Sequence, residues 1–240
     1  VRAGAGPAAG DLRIAGLVPL STVDWPDRLV ATVFLQGCPW RCRYCHNPDL
    51  LPSRTLGTVS WGEVAALLDR RHGLLDGVVF TGGEPTRQPA LVAAVSRVRE
   101  AGFAVGLHTA GAYPGRLAAV LDELDWVGLD VKALPGDYAE LVGTARAGER
   151  AWRSLGLVLD AAGRGLGHEV RTTVAPGMAD RTLALARELR RLGVRSYALQ
   201  QARAEGTLAL ADAHPPGWDE EFAALAAEVT GLGFPSLVVR

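Results

Sequence analysis

Beyond residue 12 the chain alternates short apolar runs with segments of helical spacing. Residues 29–36 (LVATVFLQ) are β-branched and almost continuously apolar, the pattern of a strand covered on both faces. Strand-like runs recur at 77–81, 103–108, 126–131, 169–174 and 196–200. Between them the spacing predicts helices over 60–72, 88–101, 114–124, 146–162 and 180–192, the first opened by the capping-box pair Ser60 and Glu63. A last helix is expected at 219–230, with a short apolar run at 237–239. Repeated strand–helix units predict an α/β fold built on a parallel sheet. A complete barrel has eight such units and typically about 250 residues, whereas this chain offers about six. A partial (β/α)6 TIM-like barrel with short N- and C-terminal extensions is therefore expected, a doubly wound sheet being the alternative. Residues 1–12 are expected to be a flexible tail. No linker-like stretch divides the rest, so 13–240 should form a single domain.

Composition narrows the function classes. Lys and Arg number 25 against 26 Asp and Glu, a net charge of −1, so no basic field is available to hold nucleic acid. Hydrophobic residues at 48% and charged residues at 21% suit a packed core. No run approaches the roughly 18–20 apolar residues of a membrane-spanning helix. The Ala/Gly-rich start is interrupted by Asp11 and Arg13 and lacks the apolar run of a secretory signal, so a cytoplasmic location is expected. Of the 25 basic residues only Lys132 is a lysine, and it ends a strand-like run.

All three cysteines fall in Cys38-Pro39-Trp40-Arg41-Cys42-Arg43-Tyr44-Cys45. An odd count within one loop after a strand does not suit a disulfide framework and points to metal. Cys42 to His46 formally matches the haem-attachment pattern C-x-x-C-H. Structural zinc through Cys38, Cys42, Cys45 and His46 has suitable ligand types, but such sites usually join ligand pairs distant in sequence. Three buried structural thiols are the plain alternative. The fourth reading is an iron–sulfur cluster with one iron left open for a substrate or cofactor.

The segment resembles the Cys-x3-Cys-x2-Cys motif of the radical S-adenosylmethionine superfamily, including an aromatic residue, Tyr44, before the third cysteine. That resemblance implies a full or partial barrel and one 4Fe–4S cluster with Cys38, Cys42 and Cys45 as its three cysteine ligands. It also implies S-adenosylmethionine on the open iron, cleaved reductively to methionine and a 5′-deoxyadenosyl radical that abstracts hydrogen. Three further places match in order. Thr81-Gly82-Gly83-Glu84-Pro85 resembles the family's GGEP turn, which implies that Gly82, Gly83, Glu84 and Pro85 bind the methionine amino group. Asp130 and Lys132 match an Asp-x-Lys pair near the cofactor carboxylate, and Arg171 matches a cofactor-contacting arginine. Thr109 lies in His108-Thr109-Ala110-Gly111, where related activating enzymes carry Asp-Thr-Asn-Gly and the aspartate helps hold a monovalent cation. Histidine and alanine replace aspartate and asparagine here, and neutral imidazole is a poor ligand for so hard a cation.

Pro39, the run Tyr44-Cys45-His46-Asn47-Pro48 and residues 17–37 resemble most the activating proteins of anaerobic ribonucleoside-triphosphate reductase, within the glycyl-radical-enzyme activating branch. The resemblance implies an enzyme that places a radical on a backbone glycine of a large partner, with a flavodoxin or ferredoxin as electron donor. No cysteine lies outside 38–45 to build a second cluster domain. Activation of pyruvate formate-lyase, or small-molecule chemistry such as that of a 7-carboxy-7-deazaguanine synthase, is the enzyme alternative. A zinc-binding interaction module is the non-enzyme one. The other histidines carry no expected role, and the spread of tryptophans suggests packing.

Overall fold

The structure is a computed structural model that describes residues 6–203 and 215–240. Its apolar runs become the parallel strands β2 (Val30–Leu35), β3 (Gly77–Gly82), β4 (Ala104–Thr109), β5 (Trp126–Asp130), β6 (Gly167–Val174) and β7 (Ser196–Gln201). Each boundary lies within two residues of the expected one. Two more strands extend the sheet, β1 (Ile14–Ser21) antiparallel to β2 and β8 (Ser236–Val239) parallel to β7. The eight strands run in sequence order, with β1 and β8 at opposite edges, so the barrel stays open.

β1 was not expected from the apolar pattern, and the reason is physical. Its middle is exposed, and the register shifts between Val18 and Ser21, around Pro19. A proline that cannot donate is tolerated at a bulge on an edge strand, but it erases the alternation that marks a strand. The stretch expected to be a flexible tail is also corrected in part. Ala9–Asp11 form a 3-10 turn, and Ala9 and Leu12 are buried in the main core.

The helices are α1 (Trp61–Asp69), α2 (Leu91–Glu100), α3 (Pro114–Ala118), α4 (Tyr138–Val142), α5 (Ala147–Ala162), α6 (Ala179–Arg191) and α7 (Trp218–Gly231). Ser60 caps α1 as its sequence predicts: its backbone N–H donates to Glu63 Oε2 at 2.7 Å, and Glu63 N–H returns to Ser60 Oγ at 3.3 Å. The helix expected over 114–124 is instead α3 followed by a 3-10 turn at Leu121–Glu123, with Leu117, Val120, Leu121 and Leu124 still buried. Over so short a stretch an i, i+3 apolar spacing suits either geometry.

Strand alternation then sorts the side chains. Val78 and Phe80, Val105 and Leu107, and Val127 and Leu129 join helix residues such as Val64, Val95 and Leu155 in the main core. The intervening positions face inward. There Val79 and Trp126 pack with Trp25 and Val30 in a separate small cluster, in which Trp25 and Trp126 stack with ring centroids 5.6 Å apart. Further along the same inner face stand Thr81, His108, Asp130 and Arg171.

Candidate active site at the C-terminal strand ends

Polar residues at these strand ends line a cavity of about 170 Å³ together with the cysteine loop that follows β2. Cys38, Cys42, Cys45, Tyr44, Gly82, Gly83, Thr109, Asp130, Lys132 and Arg171 all line it. Glu84 and Pro85, expected beside them, do not: both are buried behind the wall. Glu84 is saturated from within, accepting from Thr86 N–H at 3.1 Å, Thr86 Oγ1 at 2.6 Å, Thr109 Oγ1 at 2.7 Å and Ala110 N–H at 2.9 Å. Burial pushes its carboxyl up, against the pull of these donors. Glu84 thus braces the β4 turn rather than facing the cavity.

The paired glycines have a packing reason of their own. Gly82 has φ +119°, and a side chain there would strike the backbone of Leu35. At Gly83 an added Cβ would lie 2.6 Å from the carbonyl oxygen of Gly37. Only glycine lets the β3 turn approach the root of the cysteine loop so closely.

On the opposite wall one carboxylate serves two cations. Asp130 Oδ1 accepts from Arg171 Nε at 3.0 Å, and its Oδ2 lies 3.4 Å from Lys132 Nζ. Burial would raise the Asp130 carboxyl, but Lys132 and then Arg171 hold it down at about 2. Burial would likewise lower Lys132, yet Asp130 raises it well above the ordinary lysine value. An exposed charge pair contributes little; this trio is largely buried and aimed into the cavity. The Lys132 ammonium also lies 5.7 Å from the centroid of the Tyr44 ring, within cation–π range.

Sequence reasoning missed several contributors. Tyr138 accepts the backbone N–H of Lys132 at 2.8 Å and packs edge-on against Trp40, ring centroids 5.7 Å apart. The short helix that carries it left no periodic signal. Thr81 and Thr173 also line the cavity, and the period-2 alternation of their strands would have found them.

The three cysteines are free thiols, partly buried on one loop. Burial pushes the Cys38 thiol up to about 12 and raises Cys42 as well. A positively charged metal centre is what would hold such thiols as thiolates. Among the described residues no three His, Cys, Asp or Glu side chains stand close enough to hold one metal ion. Cluster thiolates bind separate irons and need not converge on one point, so soft sulfur donors around an open cavity fit an iron–sulfur cluster.

The profile of the radical SAM superfamily matches residues 32–190, and the chain belongs to that superfamily. Membership implies a 4Fe–4S cluster and S-adenosylmethionine. Within the superfamily the chain stands in the glycyl-radical-enzyme activating branch. It is 32% identical over 171 residues to a protein of Methanocaldococcus jannaschii named as a glycyl-radical enzyme activating enzyme, covering 70% of each. It is 32% identical over 142 residues to the pyruvate formate-lyase-activating enzyme of Clostridium pasteurianum, a match spanning 57% of this chain and 59% of that relative. The crystal structure of QueE from Escherichia coli superposes with a TM-score of 0.53 at 15% identity, covering 95% of this chain and 92% of that one, a likeness of fold alone. The expected partial barrel is thereby borne out. Among the described residues no helix is long and apolar enough to cross a membrane.

Proposed function

We propose that the chain is a radical S-adenosylmethionine activating enzyme that installs a glycyl radical on a partner protein, anaerobic ribonucleoside-triphosphate reductase by resemblance. One observation carries this reading. Three cysteines, the only lysine, and a carboxylate shared by Lys132 and Arg171 meet at one cavity on the C-terminal strand ends, where barrel active sites collect.

Cys38, Cys42 and Cys45 would hold the cluster, with one iron open for the cofactor. Such a cluster, once reduced, would supply the electron for cleavage of S-adenosylmethionine. Lys132 offers its ammonium to the cofactor carboxylate, with Asp130 fixing where that ammonium points. Gly82 and Gly83, which line the cavity, would receive the methionine ammonium, and Glu84 keeps the adjoining turn in shape. Tyr44, between Cys42 and Cys45, closes one side of the cavity against water. A flavodoxin or ferredoxin is the expected electron donor.

Anaerobic reconstitution with iron and sulfide, followed by reductant, S-adenosylmethionine and candidate partners, tests the reading. A glycyl-radical resonance on the reductase supports it. Formation of 5′-deoxyadenosine without a radical on any partner counts against an activase, and tightly held zinc in place of iron removes the enzyme reading altogether. Cys42→Ala should abolish cofactor cleavage; retained cleavage would show that Cys42 is not a ligand.

A further inference from the structure

His108 stands on the inner face of β4, opposite Gly128 of β5, between Thr81 and Asp130. Its two ring nitrogens have opposite partners. Nε2 lies 2.6 Å from the backbone carbonyl oxygen of Asp24, which can only accept, so Nε2 carries the proton. Nδ1 is then the lone-pair nitrogen, and it accepts from the Thr81 hydroxyl at 3.3 Å. The ring meets Trp126 edge-on, centroids 5.4 Å apart, and Trp126 in turn stacks on Trp25. The β1–β2 connection is therefore fastened to the inner face at two adjacent residues, Asp24 through His108 and Trp25 through Trp126.

A monovalent cation at this place would need several oxygen ligands with lone pairs to spare. The Nδ1 lone pair is taken by Thr81. Asp130 already serves Arg171 and Lys132, and Glu84 is filled by four donors. The carboxylate of Asp24 does not line the cavity and accepts from Thr32 Oγ1 at 2.7 Å. The guanidinium of Arg171 and the ammonium of Lys132 line the same cavity and repel added positive charge. Burial, followed by Arg171, lowers the imidazole to about 3, so it stays neutral and keeps both bonds.

We propose that His108 is a positioning residue that takes the place of a bound monovalent cation: it locks the β1–β2 connection onto the strand ends, and the pocket receives its cofactor without sodium or potassium. The inference rests on the reading of the cavity as an S-adenosylmethionine site.

The test measures S-adenosylmethionine affinity of the reconstituted full chain in choline, sodium and potassium chloride at equal ionic strength. The expected result is one dissociation constant within about twofold in all three salts, and binding about tenfold tighter in potassium overturns the inference. Absence of binding in every salt brings down the site assignment itself, so the two failures are distinguishable. Hydrogen exchange of residues 22–29 in the metal-free protein gives a readout independent of cofactor. Exchange there should quicken in His108→Ala and stay near wild type in His108→Asn, whose amide can still donate to Asp24. Unchanged protection in the alanine variant overturns the positioning role.

Discussion

Asp130 and Arg171 sit side by side on neighbouring strands, in direct register, and the arginine Nε donates to the aspartate Oδ1 at 3.0 Å. Because Lys132 holds the other oxygen, this pair fixes both cations at the rim of the cavity. Removing the carboxylate leaves two like charges facing each other.

Asp130→Asn should lower unfolding free energy by about 2 kcal/mol at neutral pH, measured by denaturant melts. The wild type should also show an acid limb that the variant lacks. The folded carboxyl, held at about 2, lies below its ordinary 3.8, so the unfolded state takes up the proton first as pH falls. The contribution is complete above about pH 4 and disappears toward pH 2, amounting to about 1–2 kcal/mol after allowance for the partly exposed side chain. An identical acid profile for the two proteins would show that the pair contributes nothing.

Lys132→Ala should weaken S-adenosylmethionine binding by about 10–100-fold, the loss of one charge-assisted contact, while iron content after reconstitution stays unchanged. Equilibrium dialysis and iron analysis on the same sample separate the two. Loss of iron would mean that the lysine supports the cysteine loop rather than the cofactor.

Glu84→Gln places an amide among four donors and leaves at least one of them facing another donor. A cost of about 1–3 kcal/mol is expected in a denaturant melt. Since Glu84 does not line the cavity, any fall in cofactor affinity should follow from the displaced Thr109–Ala110 turn. Hydrogen exchange at Ala110 would report that displacement. A variant as stable as wild type would show that these bonds are dispensable.

Gly106→Ala tests the aromatic floor under the site. The new methyl would lie 2.8 Å from Trp25 Cε3 and 3.0 Å from Val79 Cγ2, so the Trp25–Trp126 stack must yield. The expectation is a loss of about 1–3 kcal/mol together with a weakened near-ultraviolet tryptophan signal. A preserved signal would mean that the ring moves aside at no cost.

Much of the fold was legible because the parallel strands are buried on both faces and write unbroken apolar runs. What escaped lies where another interaction overrides the pattern. β1 is an edge strand with a proline at its bulge, and α4 has five residues, too few to show a period. The cysteine loop, Lys132 and Arg171 were legible through motif order and residue choice. Glu84 illustrates the limit, because a motif names a residue without saying which way its side chain turns. Tyr138 and the two bonds of His108 depend on contacts distant in sequence, which no local spacing encodes.

The cysteine loop is anchored at its root and at Arg41 by hydrogen bonds to backbone carbonyls. Gly37 and Cys38 N–H groups bond to the Leu50 and Leu51 carbonyls at 2.8 and 3.2 Å, and Arg41 N–H reaches the Val142 carbonyl at 3.0 Å. Gln36 Nε2 spans its base to the Asp49 and Pro52 carbonyls at 3.0 and 2.9 Å. Those bonds fix the residues on either side of the first cysteine within the fold. A root fixed in this way shortens the span of chain that has to close around the metal, and a shorter closure costs less entropy.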